Sequence, residues 1–144
     1  MTRIKLELPE RFQFTTEIPV RITDINYGRH LGNDTLLSLL HEARVRMLKE
    51  YGFTEFDIDG WGLIMVDSVI VYKSEAFYGD VLHIAVSVQD FTSVGCDFVY
   101  KVTRKGSDIE IARAKTGVVF FDYKTKKIVE VPERFRWLVS NNSG

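Results

Sequence analysis

From Asp34 to Tyr51 apolar residues recur at helical spacing: Leu36, Leu40, Ala43 and Met47, with Leu37, Leu39 and Leu48 beside them. The first half of this predicted helix is apolar nearly all round, and such a helix has to be buried rather than laid on a surface. That requirement governs the rest of the chain, which must wrap around the helix. Asp34 is the expected N-cap and Gly52 the expected C′ residue after Tyr51. About sixteen helical residues span roughly 24 Å.

The remainder reads as strands. Phe12, Phe14, Ile18 and Val20 alternate with Gln13, Thr15 and Glu17, a period of two that marks a half-buried strand. Pro19 within it points to an edge position or an early end. Past Gly60 the chain stays strand-like to Asp122, through Leu63–Phe77, Val81–Val88, the run containing Cys96, Phe98, Tyr100 and Val102, and Ile109–Phe121. Lys105-Gly106-Ser107-Asp108 reads as a hairpin turn and Pro132–Val139 as a short terminal helix. One strand, one buried helix and then consecutive strands predict an α+β domain, an antiparallel sheet of five or more strands wrapped around one long central helix. No repeat or linker divides residues 1–144, so one domain is expected.

Composition narrows the function. With 45% hydrophobic residues and 19 Lys+Arg against 20 Asp+Glu, the chain has the burial capacity to fold and no basic excess for nucleic acid. Lys124, Lys126 and Lys127 form the densest basic run and fall in an expected solvated turn. The single cysteine, Cys96, permits no internal disulfide or thiol-based zinc cluster and reads as packing. No metal site is expected. Met1–Glu10 lacks a signal-peptide core and no long apolar run spans a membrane, so a soluble cytoplasmic protein is expected.

Chemistry concentrates in residues 21–46. Asp24, Asn26, His30 and Asn33 crowd a glycine-containing loop just ahead of the buried helix, whose first N–H groups suit a developing oxyanion. Gly28 and Gly32 let a ligand approach the backbone. His30 is either a catalytic or orienting group or a structural hydrogen-bonding one. Asp24 either orders the loop or supports the charge of the site. Glu42 is either a buried carboxylate poised to activate water or half of a helix-surface pair with Arg46, and its apolar neighbours favour the first. Asp67 interrupts an apolar run and either faces a site across a dimer or pairs with a neighbouring strand, while His41 is expected to be an ordinary surface residue.

These residues resemble the hot-dog-fold thioesterases, especially the 4-hydroxybenzoyl-CoA thioesterase-like group. That family carries Asp-x-Asp-x-x-Gly-His-x-Asn-Asn before the helix and Glu-x-Ala-Arg on it. Asp24, His30 and Asn33 match the loop, Glu42-Ala43-Arg44 resembles the helix motif, and Tyr72, Glu75-Ala76 and Gly79-Asp80 look like the family's second-strand ending. The resemblance covers most of the chain. The family's second Asp, a nucleophile or general base in several members, is Asn26 here, and an amide neither takes a proton at neutral pH nor attacks as a carboxylate. Arg29 and Gly32 also depart from the motif. Related plant acyl-carrier-protein thioesterases use a loop His with a helix-borne acid, roles that His30 and Glu42 would fill.

The resemblance implies hydrolysis of an acyl-CoA or acyl-carrier-protein thioester to a free acid and a thiol. Its expected site is Glu42, His30, Asp24 and Asn26 for catalysis, with Gly32, Asn33 and Arg29 binding substrate. No cofactor is expected beyond coenzyme A as part of the substrate, with Arg29, Arg104 and Arg113 as candidate cations for it. A homodimer or homotetramer with sites at the interface is implied. The alternatives are a non-catalytic acyl-thioester binding module and a hot-dog dehydratase.

Overall fold

The computed structural model describes residues 3–141. The chain runs β1 (Phe14–Pro19), a single 3-10 turn (Ile22–Asp24), α1 (Asn33–Glu50), β2 (Gly62–Tyr72), β3 (Val81–Gln89), β4 (Gly95–Arg104), β5 (Glu110–Asp122), β6 (Lys127–Val129) and α2 (Glu133–Asn141). The strands form one antiparallel sheet in the order β1-β3-β4-β5-β2, and β6 pairs with β5 from Phe120 onward, where β4 has ended. This is the antiparallel sheet around one long helix that the patterns predict, and the hot-dog architecture that the resemblance implies.

The long helix is buried as its composition requires. Leu36, Leu40, Ala43 and Met47 are each no more than 1% exposed. They share a core with Leu82, Ile84 and Val86 of β3, Phe98, Tyr100 and Val102 of β4, and Ala112, Ala114 and Phe120 of β5. Each fully buried Leu, Ile or Phe contributes roughly 1.5–3 kcal/mol. α2 closes one end: Phe135 stands edge-on to Phe53 (5.8 Å), Phe91 (6.3 Å) and Phe120 (5.5 Å). The N-terminal segment is tied down by Arg113 Nη1 donating to Leu6 O and by the Gln13 side chain bonding both N and O of Val88.

Several boundaries differ from expectation. The N-cap is Gly32, with no side-chain cap, so Asp34 lies within the first turn. The preceding loop fixes that start, because Leu31 N donates to Ala76 O (2.7 Å) and Gly32 N to Asp24 O (3.0 Å). The first strand begins at Phe14 and ends at Pro19, on a sheet edge. β2 ends at Tyr72, short of Phe77. Lys127 leaves the turn and opens β6, a strand of three residues with too little pattern to see in advance. Gly52 ends α1 at φ +86°, the left-handed conformation for which glycine suits this place. Among the described residues no helix is long and apolar enough to cross a membrane.

Candidate active site

Two loops meet at the start of α1, joined there by the backbone bond from Leu31 N to Ala76 O and farther back by Val20 N to Asp80 O. The first loop is shaped by Asp24. Its carboxylate is 3% exposed and accepts from Arg21 N (2.8 Å) and Arg21 Nη2 (3.2 Å), while its carbonyl takes the Gly32 N–H. Burial pushes the Asp24 carboxyl up, but the bonds from Arg21 outweigh it and leave the group below its usual value. Asp24 therefore orders the loop, the first of its two expected roles.

Asn26 closes the next turn. Its Oδ1 accepts from Gly28 N (2.9 Å) and its N–H donates to His30 O (3.0 Å). Arg29 sits at φ +63°, in the left-handed region that a non-glycine residue seldom adopts. This tight turn folds the His30 imidazole back over Gly28, so closely that a Cβ on Gly28 would lie 2.8 Å from His30 Nε2 and 3.3 Å from Asn26 Oδ1. His30 Nδ1 lies 3.2 Å from Leu31 O. A carbonyl only accepts, so Nδ1 carries the proton and the neutral ring presents Nε2 as an acceptor.

His30 lines a cleft of about 250 Å³ together with Asn33, Leu36, Tyr72, Glu75 and Ile111. Tyr72 OH donates to Asn33 O at 2.8 Å, tying the end of β2 to the first residue of the helix. Partial burial, then the charge of Asp34, push the Tyr72 phenol up and keep it a neutral donor. Gly32 also borders the cleft, but its N–H is committed to Asp24 O, so it does not serve as the oxyanion donor expected of it. The next N–H groups, of Asn33, Asp34 and Thr35, precede the first intrahelical bond, Leu36 N to Gly32 O, and have no side-chain cap.

The other expected residues lie elsewhere. Asn26 and Asp24 border a separate cavity of about 370 Å³ on the far side of the loop, with Asp34 and Thr35. Arg29 is exposed and borders neither cavity. Glu42 is not the buried carboxylate that its neighbours favoured. Its side chain is 50% exposed and accepts from Arg46 Nε at 2.7 Å, one helical turn on. Arg46 in turn reaches Thr16 Oγ1 and Glu17 O on β1, which fixes this pair against the sheet edge and away from the cleft. Arg104 and Arg113 are engaged internally. Arg104 braces Asp80 and Glu75 O, and Arg113 pairs with Glu110. Asp67 pairs with Lys115 (2.9 Å) and accepts from Gly117 N, the neighbouring-strand role.

Three residues at or near the site were given no role in the sequence, although Arg44 and Glu75 fall within the motifs quoted for the resemblance. Lys73 and Glu75 follow β2 into the cleft, placed there by strand pairing rather than by any local pattern. Arg44 is only 4% exposed and bonds Glu55 Oε2 (2.8 Å) and Tyr100 OH (3.0 Å) beneath the sheet. His41 also joins Glu55, so it is more than a surface residue. Cys96 is buried, and burial pushes its thiol up, which suits packing rather than nucleophilic attack.

The family model of the thioesterase-like superfamily matches residues 20–137. Solved structures share the fold. Slr0204, a 1,4-dihydroxy-2-naphthoyl-CoA thioesterase from Synechocystis, is 21% identical with a TM-score of 0.81, over 89% of this chain and 96% of that one. The PA5185 protein of Pseudomonas aeruginosa is 16% identical with a TM-score of 0.83, over 94% of each chain. The YbaW protein of Escherichia coli is 22% identical with a TM-score of 0.75, over 90% of this chain and 98% of that one. No curated protein matches the sequence. The family match extends over most of the chain, from the residue after β1 into α2, and the protein belongs to the thioesterase-like superfamily.

Proposed function

We propose that the protein hydrolyses an acyl thioester, carried on coenzyme A or an acyl carrier protein, to a free acid and a thiol. The observation that carries this reading is the meeting of His30 and the uncapped first turn of α1 in one cleft. A thioester carbonyl seated against the N–H of Asn33 has its developing oxyanion stabilised by the helix start. One such donor is worth roughly 3–4 kcal/mol in acyl transfer. A water bound to His30 Nε2 gives that nitrogen a proton as its oxygen attacks the carbonyl carbon. The tetrahedral intermediate then expels the thiolate, which recovers the proton from Nε2.

Lys73, exposed at the mouth of the cleft, is the cation we assign to the anionic carrier, in place of the engaged Arg104 and Arg113. A second copy of the chain completes the assembly. β2 is a free edge of eleven residues carrying Met65 (40% exposed) and Val66 (58%), without a proline to block pairing, whereas the β1 edge ends in Pro19. Such an edge invites antiparallel pairing. The cleft begins where β2 ends, so a partner on this edge would wall it.

Thiol release from a panel of aromatic and aliphatic acyl-CoAs tests the reading, which predicts turnover of at least one and is contradicted by none. One observation favours a second reading, a binding module without turnover: the position where the family carries a carboxylate is Asn26, and its side chain is occupied by Gly28 N. Calorimetric binding of an acyl-CoA that is never cleaved would establish that alternative.

A further inference from the structure

Glu75 faces His30 across the cleft, with its Oε1 3.8 Å from His30 Nε2. This separation is too long for a direct hydrogen bond. Because Nδ1 donates to Leu31 O, the neutral ring offers Nε2 as an acceptor, and an ionised carboxylate is an acceptor as well. Two acceptors set side by side need a donor of two protons between them. A single water, placed about 2.8 Å from each, satisfies both and leaves its lone pairs directed outward.

The backbone around Glu75 is held while its carboxylate is left to the cleft. Glu75 O accepts from Arg104 Nη2 (2.9 Å), Ala76 O takes the Leu31 N–H, and Ala76 itself is 1% exposed. His30 is the one basic side chain brought within ion-pair distance of Glu75 among the described residues. The imidazole is fixed by Leu31 O on one side and by contact with Gly28 on the other. Both acceptors are thus positioned before any substrate arrives, by two loops joined through the Leu31–Ala76 bond.

We propose that Glu75 is a catalytic residue that, with His30, clamps the attacking water of the thioesterase reaction; this rests on the reading above. One water O–H gives its proton to His30 Nε2 while the oxygen's electron pair forms the new bond to the thioester carbon, and the carbonyl pair moves onto oxygen. The second O–H stays intact and donates to Glu75 Oε1. The negative carboxylate lies beside the imidazolium formed in that step. Collapse breaks the C–S bond, and the leaving sulfur takes the proton from Nε2. The carboxylate that the loop lacks at Asn26 is then supplied from the other loop.

The test compares the wild-type protein with Glu75→Gln and Glu75→Asp, using one acyl-CoA that the wild type hydrolyses. Glu75→Gln keeps the size but not the charge. Its kcat should fall about a hundredfold or more while KM stays within twofold, and Glu75→Asp should recover part of the loss. Both variants should fold, since Glu75 is 63% exposed, and matching thermal melts check this. A kcat of Glu75→Gln within threefold of wild type, or a change confined to KM, overturns the proposal and leaves thioester hydrolysis standing. A wild type that cleaves nothing in the panel overturns both.

Discussion

Buried Arg44 and half-buried Glu55 form an ion pair at 2.8 Å that joins the central helix to the loop preceding β2. The guanidinium continues to Tyr100 OH, and Tyr100 OH meets Thr116 Oγ1 at 2.8 Å, so a polar chain runs from the loop through α1 to the middle of the sheet. Removing Glu55 leaves the buried Arg44 guanidinium without its counter-charge. Glu55→Ala should therefore destabilise the fold by about 3–5 kcal/mol, read from urea denaturation at neutral pH.

The same pair has a pH signature. Burial pushes the Glu55 carboxyl up, but the bonds from Arg44 and His41 outweigh it and hold the group below its usual 4.5. A carboxyl lowered by folding contributes stability above its unfolded value and loses it as pH falls through the lower folded value. Wild-type stability should thus decline as pH drops below about 4.5, with Asp24 and Glu110, lowered in the same direction, adding to the fall. Glu55→Gln should be less stable at neutral pH and show a shallower decline. Parallel acid-limb profiles for the two proteins would contradict this.

Gly28 controls the position of the imidazole without touching the reaction. Its φ is not in the left-handed region, so alanine fits the backbone, but the added Cβ would meet His30 Nε2 at 2.8 Å. Gly28→Ala should leave the melting temperature nearly unchanged and lower kcat by about tenfold to a hundredfold, the scale on which a displacement of about 1 Å acts.

Lys73→Ala tests recognition of the carrier. An exposed cation facing an anion is worth up to about 1 kcal/mol and is screened by salt. KM for an acyl-CoA should rise roughly two- to fivefold at low salt, with the difference shrinking at high salt. A neutral thioester of N-acetylcysteamine should show no such change. Equal effects on both substrates would count against the assignment.

Pairing through β2 predicts a dimer that a charge on that edge dissociates. Val66 is 58% exposed at the irregularity between Met65 and Asp67, so lysine there is tolerated by the monomer. Sedimentation should show Val66→Lys associating at least tenfold more weakly than wild type. An unchanged dimer would place the interface elsewhere.

What the sequence disclosed followed from periodicity. Leu36, Leu40, Ala43 and Met47 announced a buried helix, and Leu82, Ile84, Val86 and Val88 a strand, because each set repeats over several turns or pleats. His30 and Asn33 were legible as neighbours because one short loop carries both. Glu42 was misplaced because a helix pattern shows which residues are apolar, not which flank the sheet leaves open, and the bonds of Arg46 to Thr16 and Glu17 decide that. Arg44 did carry a signal, since it falls four residues after Leu40 and four before Leu48 on the buried face. Glu75 carried none for its place in the cleft. It reaches His30 through non-local bonds such as Leu31 N to Ala76 O, which no window of sequence contains.

The central claim is that His30, held at the start of α1, drives thioester hydrolysis. Its most direct test is the single-turnover rate of thiol release from one acyl-CoA by wild-type protein and by His30→Ala, with folding matched by thermal melts. The account predicts a loss of about a hundredfold to ten-thousandfold in that rate with acyl-CoA affinity retained. A His30→Ala protein that releases thiol as fast as wild type would contradict it.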